Sequence, residues 1–180
     1  MSDRKSLIAS RSFSRPVKII DEMRQSIATH ASRATEKMRR QNLATAHLIV
    51  FIETNPFQNT RPQYRAAQSL RLPVATSDTS RIVSGALKAL SIIWRKDYDY
   101  KKGGVILLDL TPTSTLQEGL FDRSDTPASQ SRIKALDALN NKYGKGTIVL
   151  GAASLRNGWS LRRECLSPNY TTNWQELLRV

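Results

Sequence analysis

Hydrophobic residues along the chain change their spacing several times, and each change marks an expected helix or strand. In two stretches they recur every three or four positions, as they do on one face of an amphipathic helix. The first stretch contains Ile19, Met23, Ile27, Ala31, Ala34 and Met38. The second contains Ile82, Val83, Ala86, Leu87, Leu90, Ile93 and Trp94. Asp78, which precedes the second stretch, is a suitable helix cap.

Four other stretches have the composition of strands. Residues 8–17 have Pro16 at their end, residues 46–52 form a continuous apolar run, residues 70–72 alternate within 64–74, and residues 105–108 are all aliphatic. The resulting order is strand–helix–strand–strand–helix–strand, with Gly103-Gly104 as a turn before the last strand. We therefore expect an α+β fold, a four-stranded sheet with two helices on one face and the other face open.

The chain beyond this unit has a different character. Asp125-Thr126-Pro127 is expected to open a third helix that ends at Gly144, and residues 147–150 suit a short strand. The rest is expected to be helical or irregular, with Trp159 and Trp174 packed on the tail's own helix. The sequence thus predicts a basic domain over 1–112, a linker over 113–126 and a tail over 127–180.

Charge is concentrated in the first part of the chain. The net charge is +13 and the isoelectric point is near 10.4. Residues 1–104 contain 19 Lys and Arg against 8 Asp and Glu, whereas the remainder contains 9 against 7. Such a distribution favours an anionic partner, above all nucleic acid, over a basic protein that is merely soluble.

Sites for catalysis or metal binding are not expected in this chain. It lacks the Cys/His spacing of zinc sites, a phosphate-binding GxxxxGK[ST] loop and a GxSxG nucleophile elbow. Asp97 and Asp99 lie among lysines that would compete with a metal ion, and we expect His30 and Cys165 to be packed side chains. The single cysteine and the missing apolar span predict a cytoplasmic protein with no membrane partner.

Residues 115–122 (TLQEGLFD) form a polar segment with two adjacent large apolar residues. Gln117 can form hydrogen bonds while Leu120 and Phe121 fill one apolar pocket of a partner, which is how docking peptides gain most of their affinity. The linker is therefore interpreted as a docking peptide.

Several segments, in order, resemble the C-terminal part of a UmuC-type, Y-family translesion DNA polymerase. The segments are 11–13 (RSF), 23–27 (MRQSI), 34–39 (ATEKMR), 51–57 (FIETNPF), 104–110 (GVILLDL), 117–121 (QEGLF), 159–164 (WSLRRE) and 166–172 (LSPNYTT). They cover nearly the whole chain, and the tail segments are the most specific to this subgroup.

The resemblance implies a little finger DNA-binding domain, a sliding-clamp-binding peptide and a C-terminal tail. The little finger would hold primer–template DNA through its phosphates, by Arg11, Ser12, Ser14, Arg65 and Arg71. The clamp would be bound by Gln117, Leu120 and Phe121. Glu118 and Gly119 depart from the family's clamp peptide and are expected to weaken it.

The resemblance also implies what lies outside this chain and what its tail contacts. The palm domain, with the carboxylates that bind Mg²⁺, would precede residue 1, so no cofactor and no catalysis are expected here. The tail would contact UmuD-like accessory subunits and the RecA filament. The alternatives are a stand-alone protein-interaction fragment, a truncated gene remnant, and a generic RNA-binding domain, for which the aromatic sheet motif of RRM proteins and the GxxG loop of KH domains are missing.

Overall fold

The computed structural model describes residues 6–58, 60–115 and 125–153. The strands are β1 (Ser6–Val17), β2 (Leu43–Thr54), β3 (Arg65–Thr76), β4 (Tyr100–Leu108) and the two-residue β5 (Thr111–Pro112). The helices are α1 (Ile20–Arg39), α2 (Thr79–Ile93) and α3 (Pro127–Tyr143), with a single 3₁₀ turn at Thr113–Thr115. The predicted order of strands and helices up to β4 is confirmed.

The sheet is antiparallel throughout its main body, with strand order β1-β4-β2-β3. The last long strand, β4, is therefore inserted between β1 and β2, while β2 and β3 pair as a hairpin. The short β5 pairs with the beginning of β2 through Leu43 and Ala44. Within this sheet β1 and β3 are the two edge strands.

Both helices of this unit pack on the same face of the sheet, and they contact one another. Acidic Asp21 and Glu22 occupy the first turn of α1 and basic Arg39 its last, which suits the helix dipole. Asp78 caps α2 as predicted, because its carboxylate accepts a hydrogen bond from the backbone N–H of Ser80 at 2.7 Å.

The core lies between the helices and the sheet. Its largest fully buried apolar side chains are Phe13, Met23, Ile27, Met38, Leu48, Ile52, Ile82, Leu90, Tyr100 and Leu107. Alternate residues of β2, such as Leu48, Val50 and Ile52, are buried here, whereas Ile49 and Phe51 face the other way and are half-buried. The predicted arrangement, an α+β fold with one covered and one open face, is confirmed.

The predicted turn at Gly103-Gly104 is wrong, because both residues lie inside β4. Glycine is needed at 104 for close packing. A Cβ there would lie 2.3 Å from the Cβ of Ser10 and 2.8 Å from Cζ of Phe51. Side chains of the two neighbouring strands thus fill the space above Gly104, so a glycine pair that resembles a turn signal belongs to a strand.

Helix α3 packs against the helical layer largely through polar contacts. Arg39 of α1 donates two hydrogen bonds to Asp137, at 2.8 and 2.7 Å. Asp78 accepts from the Ser129 hydroxyl at 2.7 Å and lies 3.3 Å from Arg132. Burial by itself would raise the pKa of Asp78, but the hydrogen bonds from Ser129 and Ser80 and the charge of Arg132 bring that pKa below its ordinary value.

Residues 147–150 do not form the predicted strand. The side-chain amide of Asn140 occupies the position of a strand partner: its Nδ2 donates to the carbonyl of Ile148 at 2.9 Å, and its Oδ1 accepts from the Ile148 N–H at 2.9 Å. Helix α3 itself begins at the cap Thr126 and ends at Gly144, as predicted.

Candidate nucleic-acid interface

The open face of the sheet, meaning the side chains that point away from α1 and α2, is organised by the strand register into four cross-strand rows. In the order β1-β4-β2-β3 the rows are Ser6–Leu108–His47–Arg71, Ile8–Ile106–Ile49–Ser69, Ser10–Gly104–Phe51–Ala67 and Ser12–Lys102–Glu53–Arg65. Charged side chains therefore lie in the two end rows, and the two middle rows are apolar with serines at the edges.

Four of the five residues that the sequence predicts to contact DNA lie on this face or at its rim. Ser12 and Arg65 occupy opposite ends of one row, separated by three strand spacings, about 14 Å. Arg71 lies six residues from Arg65 along β3, about 20 Å away. Ser14 is exposed just beyond the last regular pair of β1 with β4.

Arg11 lies on the opposite side of β1. It pairs with Gly103, whose Cβ position faces the core residues Met23 and Phe13, so the Arg11 side chain leaves the sheet on the helical side. It is half-buried there and contributes to lowering the pKa of His30 in α1. Arg11 and the apolar Phe13 are two residues apart in the strand and therefore point to the same face, whereas Ser12 and Ser14 point to the other. This alternation is the signal in the sequence that distinguishes Arg11 from the two serines.

At one end of the open face, Glu53 is held between two cations. Its carboxylate lies 3.2 Å from Nζ of Lys102 and 3.5 Å from Nε of Arg65. The Lys102 ammonium also lies 5.7 Å from the ring centre of Phe51, a cation–π distance. Sequence reasoning did not select Lys102, although its two-residue spacing from Gly104 and Ile106 places it on the open face.

At the other end of the open face, His47 of β2 contacts both strand β3 and the loop after β4. Its Nδ1 lies 3.0 Å from a carboxylate oxygen of Asp109, and its Nε2 lies 2.7 Å from the Ser69 hydroxyl. Arg71 lies 3.6 Å from the same Asp109 carboxylate. The side chains of Arg65 and Arg71 are 86% and 77% exposed, so both guanidinium groups can reach a ligand.

This face can bind a phosphate backbone, and it offers little with which to read bases. Guanidinium groups and serine hydroxyls are suitable donors for phosphate oxygens. Its middle is apolar, with Ile8 58% exposed and Ile49, Phe51 and Ile106 half-buried. Edge strand β1 adds backbone groups that no other described strand pairs on its outer side.

The predicted clamp-binding residues Gln117, Leu120 and Phe121 lie outside the described residues. The same applies to Cys165, Trp159 and Trp174 of the tail. The division of the chain at 112 and 126 stays a prediction.

Within the described ranges, no three His, Cys, Asp or Glu side chains come together as metal ligands would. Asp99 forms ion pairs with Lys18, at 3.3 Å, and with Arg61. His30 is buried, and burial together with the charges of Arg33 and Arg11 lowers its pKa from 6.5 to about 4. No described helix is both long and apolar enough to cross a membrane.

Comparison with known proteins places the chain in a family. The impB/mucB/samB family C-terminal domain matches residues 4–120, and a domain of unknown function (DUF4113) matches residues 133–180. The chain is 37% identical over 175 residues to Protein UmuC of Salmonella typhimurium, covering 97% of this chain and 42% of that protein. It is 38% identical over 172 residues to Protein SamB of the same organism, covering 95% of this chain and 40% of SamB.

The chain thus spans about two fifths of the length of the curated relatives it matches. Among solved structures, the complex of β-clamp processivity factor and little finger domain of PolIV aligns with a TM-score of 0.39 and 16% identity, over 65% of this chain and 99% of that chain. The family match over residues 4–120 confirms the resemblance that the sequence motifs indicate. The chain belongs to the impB/mucB/samB family and contains its C-terminal domain.

Proposed function

We propose that this chain is the non-catalytic, DNA-holding and clamp-binding part of an error-prone, UmuC-type Y-family polymerase that acts in translesion synthesis and SOS mutagenesis. One observation carries the DNA-binding role: the open face of the sheet presents exposed arginines on β3 and serine hydroxyls on β1, about 14 Å apart. Those groups suit the two backbones of a duplex.

Contact through phosphates alone suits a polymerase that must accept damaged templates, because phosphate contacts position a duplex without reading its sequence. Two carboxylates lower the net attraction: Glu53 of the open face lies close to Arg65, and Asp109, in the loop after β4, lies close to Arg71. We therefore expect binding that is moderate, independent of sequence and steeply dependent on salt. In this proposal, catalysis and its Mg²⁺ belong to another part of the polymerase.

The DNA role is tested by measuring the affinity for a primer–template duplex across a salt series. An Arg65→Ala/Arg71→Ala variant should bind more weakly, and the slope of log affinity against log salt should decrease by about 0.9 for each phosphate that the protein no longer neutralises. The matched control is Arg24→Ala/Lys134→Ala, which removes two exposed cations away from the open face. If the two variants bind the duplex equally well, or if binding does not respond to salt, the open face is not the DNA site.

The clamp role rests on Gln117, Leu120 and Phe121 and on the family match. Calorimetric titration of purified sliding clamp should give saturable binding that the Leu120→Ala/Phe121→Ala variant abolishes. Binding that persists in this variant would mean that the peptide does not bind the clamp. We further propose that the tail binds UmuD-like subunits and the RecA filament, and that the protein acts in the cytoplasm.

A further inference from the structure

A second basic surface lies on the other side of β1 from the open face. It is a groove of about 800 Å³ bounded by the edge of β1, the outer side of α1 and the segment that follows α3. Six cationic side chains and two carboxylates, Glu36 and Asp137, line it. The cations are Arg11, Arg33, Lys37, Arg39, Arg40 and Lys145.

The two carboxylates are already neutralised by cations of the groove. Glu36 lies 2.6 Å from Arg40, and Asp137 forms the two hydrogen bonds with Arg39 that attach α3. The lining therefore has an excess of four positive charges, whereas the four cross-strand rows of the open face hold three Lys and Arg against Glu53. By charge, the groove is the stronger anion site of the two.

The cations of the groove are arranged in a line. Arg33 and Lys37 lie four residues apart on one side of α1, and the cap residue Arg40, which pairs with Glu36, follows three residues later, so the row extends over about 10 Å. All three are exposed. A row of this kind fits successive phosphates of one chain better than a single compact anion.

The positive charge of the groove affects the pKa of a buried histidine beside it. His30 lines the groove and is 2% exposed. After burial, the charges of Arg33 and Arg11 are what lower its pKa to about 4. The residues that line the groove, all within the described part of the chain, include no Phe, Tyr or Trp, and the buried His30 ring is not available for a base to stack on.

The groove is continuous with the open face. Ile8 and Ser10 line the groove and also belong to the two middle rows of the open face. A strand that leaves a duplex on the open face would therefore meet the groove as soon as it passed the edge of β1. A groove of 800 Å³ has the size of sites for single small ligands, so it accommodates a few nucleotides of one strand and not a duplex.

We propose that this groove binds the phosphodiester backbone of single-stranded DNA that continues past β1 from the duplex on the open face. The continuity with the duplex rests on the proposed function, whereas the groove itself rests on its own charges. Binding is through phosphate and is independent of base sequence, because cations line the groove and no Phe, Tyr or Trp does.

The chain offers a spectroscopic reporter for each surface. It contains two histidines, His30 in the groove and His47 on the open face. In the full chain with isotopically labelled histidine, a ten-nucleotide oligo(dT) should shift the ring signals of His30. A blunt duplex should shift those of His47. Oligo(dT) that shifts His47 and leaves His30 unchanged would overturn the proposal.

Variants then test the cations of the groove. Arg33→Gln/Lys37→Gln should weaken oligo(dT) binding on the order of tenfold and lower the salt slope by about 0.7 for each phosphate left without its cation. The control Arg24→Gln/Lys134→Gln removes the same charge outside the groove and should bind like the unmodified chain. Equal oligo(dT) affinity in the two variants would show that the groove is not the site.

A third experiment tests whether the groove prefers nucleic acid to an acidic protein segment. A poly-glutamate peptide of matched charge should compete poorly with oligo(dT); competition at equal concentration would replace the proposal by a site for acidic peptides. Failure of the open face to bind duplex DNA can be distinguished from failure of the groove to bind a single strand. If Arg65→Ala/Arg71→Ala leaves duplex binding intact while Arg33→Gln/Lys37→Gln abolishes oligo(dT) binding, the groove stands and the open face does not.

Discussion

The two faces of the sheet are built from the same four strands, yet their side chains meet different surroundings. On the helical face, alternate residues such as Leu48 and Ile52 are fully buried against α1 and α2. On the open face, their neighbours Ile49 and Phe51 are half-buried and are flanked by ion pairs at both ends. Stability therefore depends mainly on the helical face, and the open face is left available for a ligand. Neighbouring residues that point to opposite faces allow this division to be tested directly.

The largest expected effect comes from two adjacent residues of β2. Leu48→Ala should lower the free energy of unfolding by about 2–5 kcal/mol, because it leaves a cavity under α2. Ile49→Ala, on the open face, should cost about 1 kcal/mol, since its side chain is already partly in water. Urea unfolding of both variants measures the difference. Equal costs would mean that the open face is part of the core.

The two histidines test the same division through pH. In the folded chain, burial and then the charges of Arg33 and Arg11 keep His30 neutral down to about pH 4, whereas in the unfolded chain it titrates near 6.5. Between these values the unfolded state binds more protons. The free energy of unfolding should therefore fall by about 3 kcal/mol as the pH falls from 6.5 to 4.

The control for this fall is a comparison of the two histidine variants by urea unfolding at several pH values. His30→Gln should remove most of the fall, and His47→Gln should keep it because His30 remains in place. The lowered pKa of Asp78 also makes the free energy of unfolding fall as the pH falls. This contribution appears only near and below pH 3.8, the ordinary pKa of the group, and therefore outside the interval from pH 6.5 to 4. A flat profile in the unmodified chain between pH 6.5 and 4 would contradict the expected burial of His30.

Of the two adjacent glycines of β4, Gly104 on the open face should be the more sensitive to substitution by alanine. In β2 the order is reversed, because the more sensitive residue, Leu48, faces the helices. Gly104→Ala places a Cβ 2.3 Å from Ser10 and 2.8 Å from Phe51 on the open face, and overpacking of this kind costs about 1–3 kcal/mol. Gly103→Ala meets the flexible Met23 at 3.3 Å, Phe13 at 3.4 Å and Ile27 at 3.6 Å, none closer than 3.3 Å, and should cost less. Thermal unfolding distinguishes them. A greater loss in Gly103→Ala would show that the open face tolerates the added methyl group.

The smallest effects on stability are expected at two ion pairs. Asp137→Asn leaves the mostly buried guanidinium of Arg39 without its charged partner and should cost about 1–2 kcal/mol. Glu53→Gln, between Lys102 and Arg65 on the open face, should cost less than about 0.5 kcal/mol. It should also tighten duplex binding a few-fold, because it removes a negative charge from the proposed DNA surface. Weaker duplex binding by Glu53→Gln would contradict that assignment.

Local pattern is sufficient to predict the type and order of the helices and strands up to β4, and helix α3. The three- and four-residue spacing in α1 and α2, the cap at Asp78 and the apolar runs of β2 and β4 each depend on residues close in sequence. The motifs from 11–13 to 166–172 also indicate the family without any knowledge of tertiary contacts. These features are readable because periodicity and capping are properties of the local backbone.

What the tertiary structure decided was which distant residues share a surface. Gly103-Gly104 has the composition of a turn, but β4 is inserted between β1 and β2, and their side chains fill the space above Gly104. The sequence predicts that Arg11 contacts DNA beside Ser12, whereas strand register directs the Arg11 side chain to the helical side, where it joins cations from α1 and the segment after α3 in one groove. Strand order and helix docking are set by contacts between segments far apart in sequence. The sequence therefore determined the elements of this protein, and packing determined the two surfaces on which its proposed functions rest.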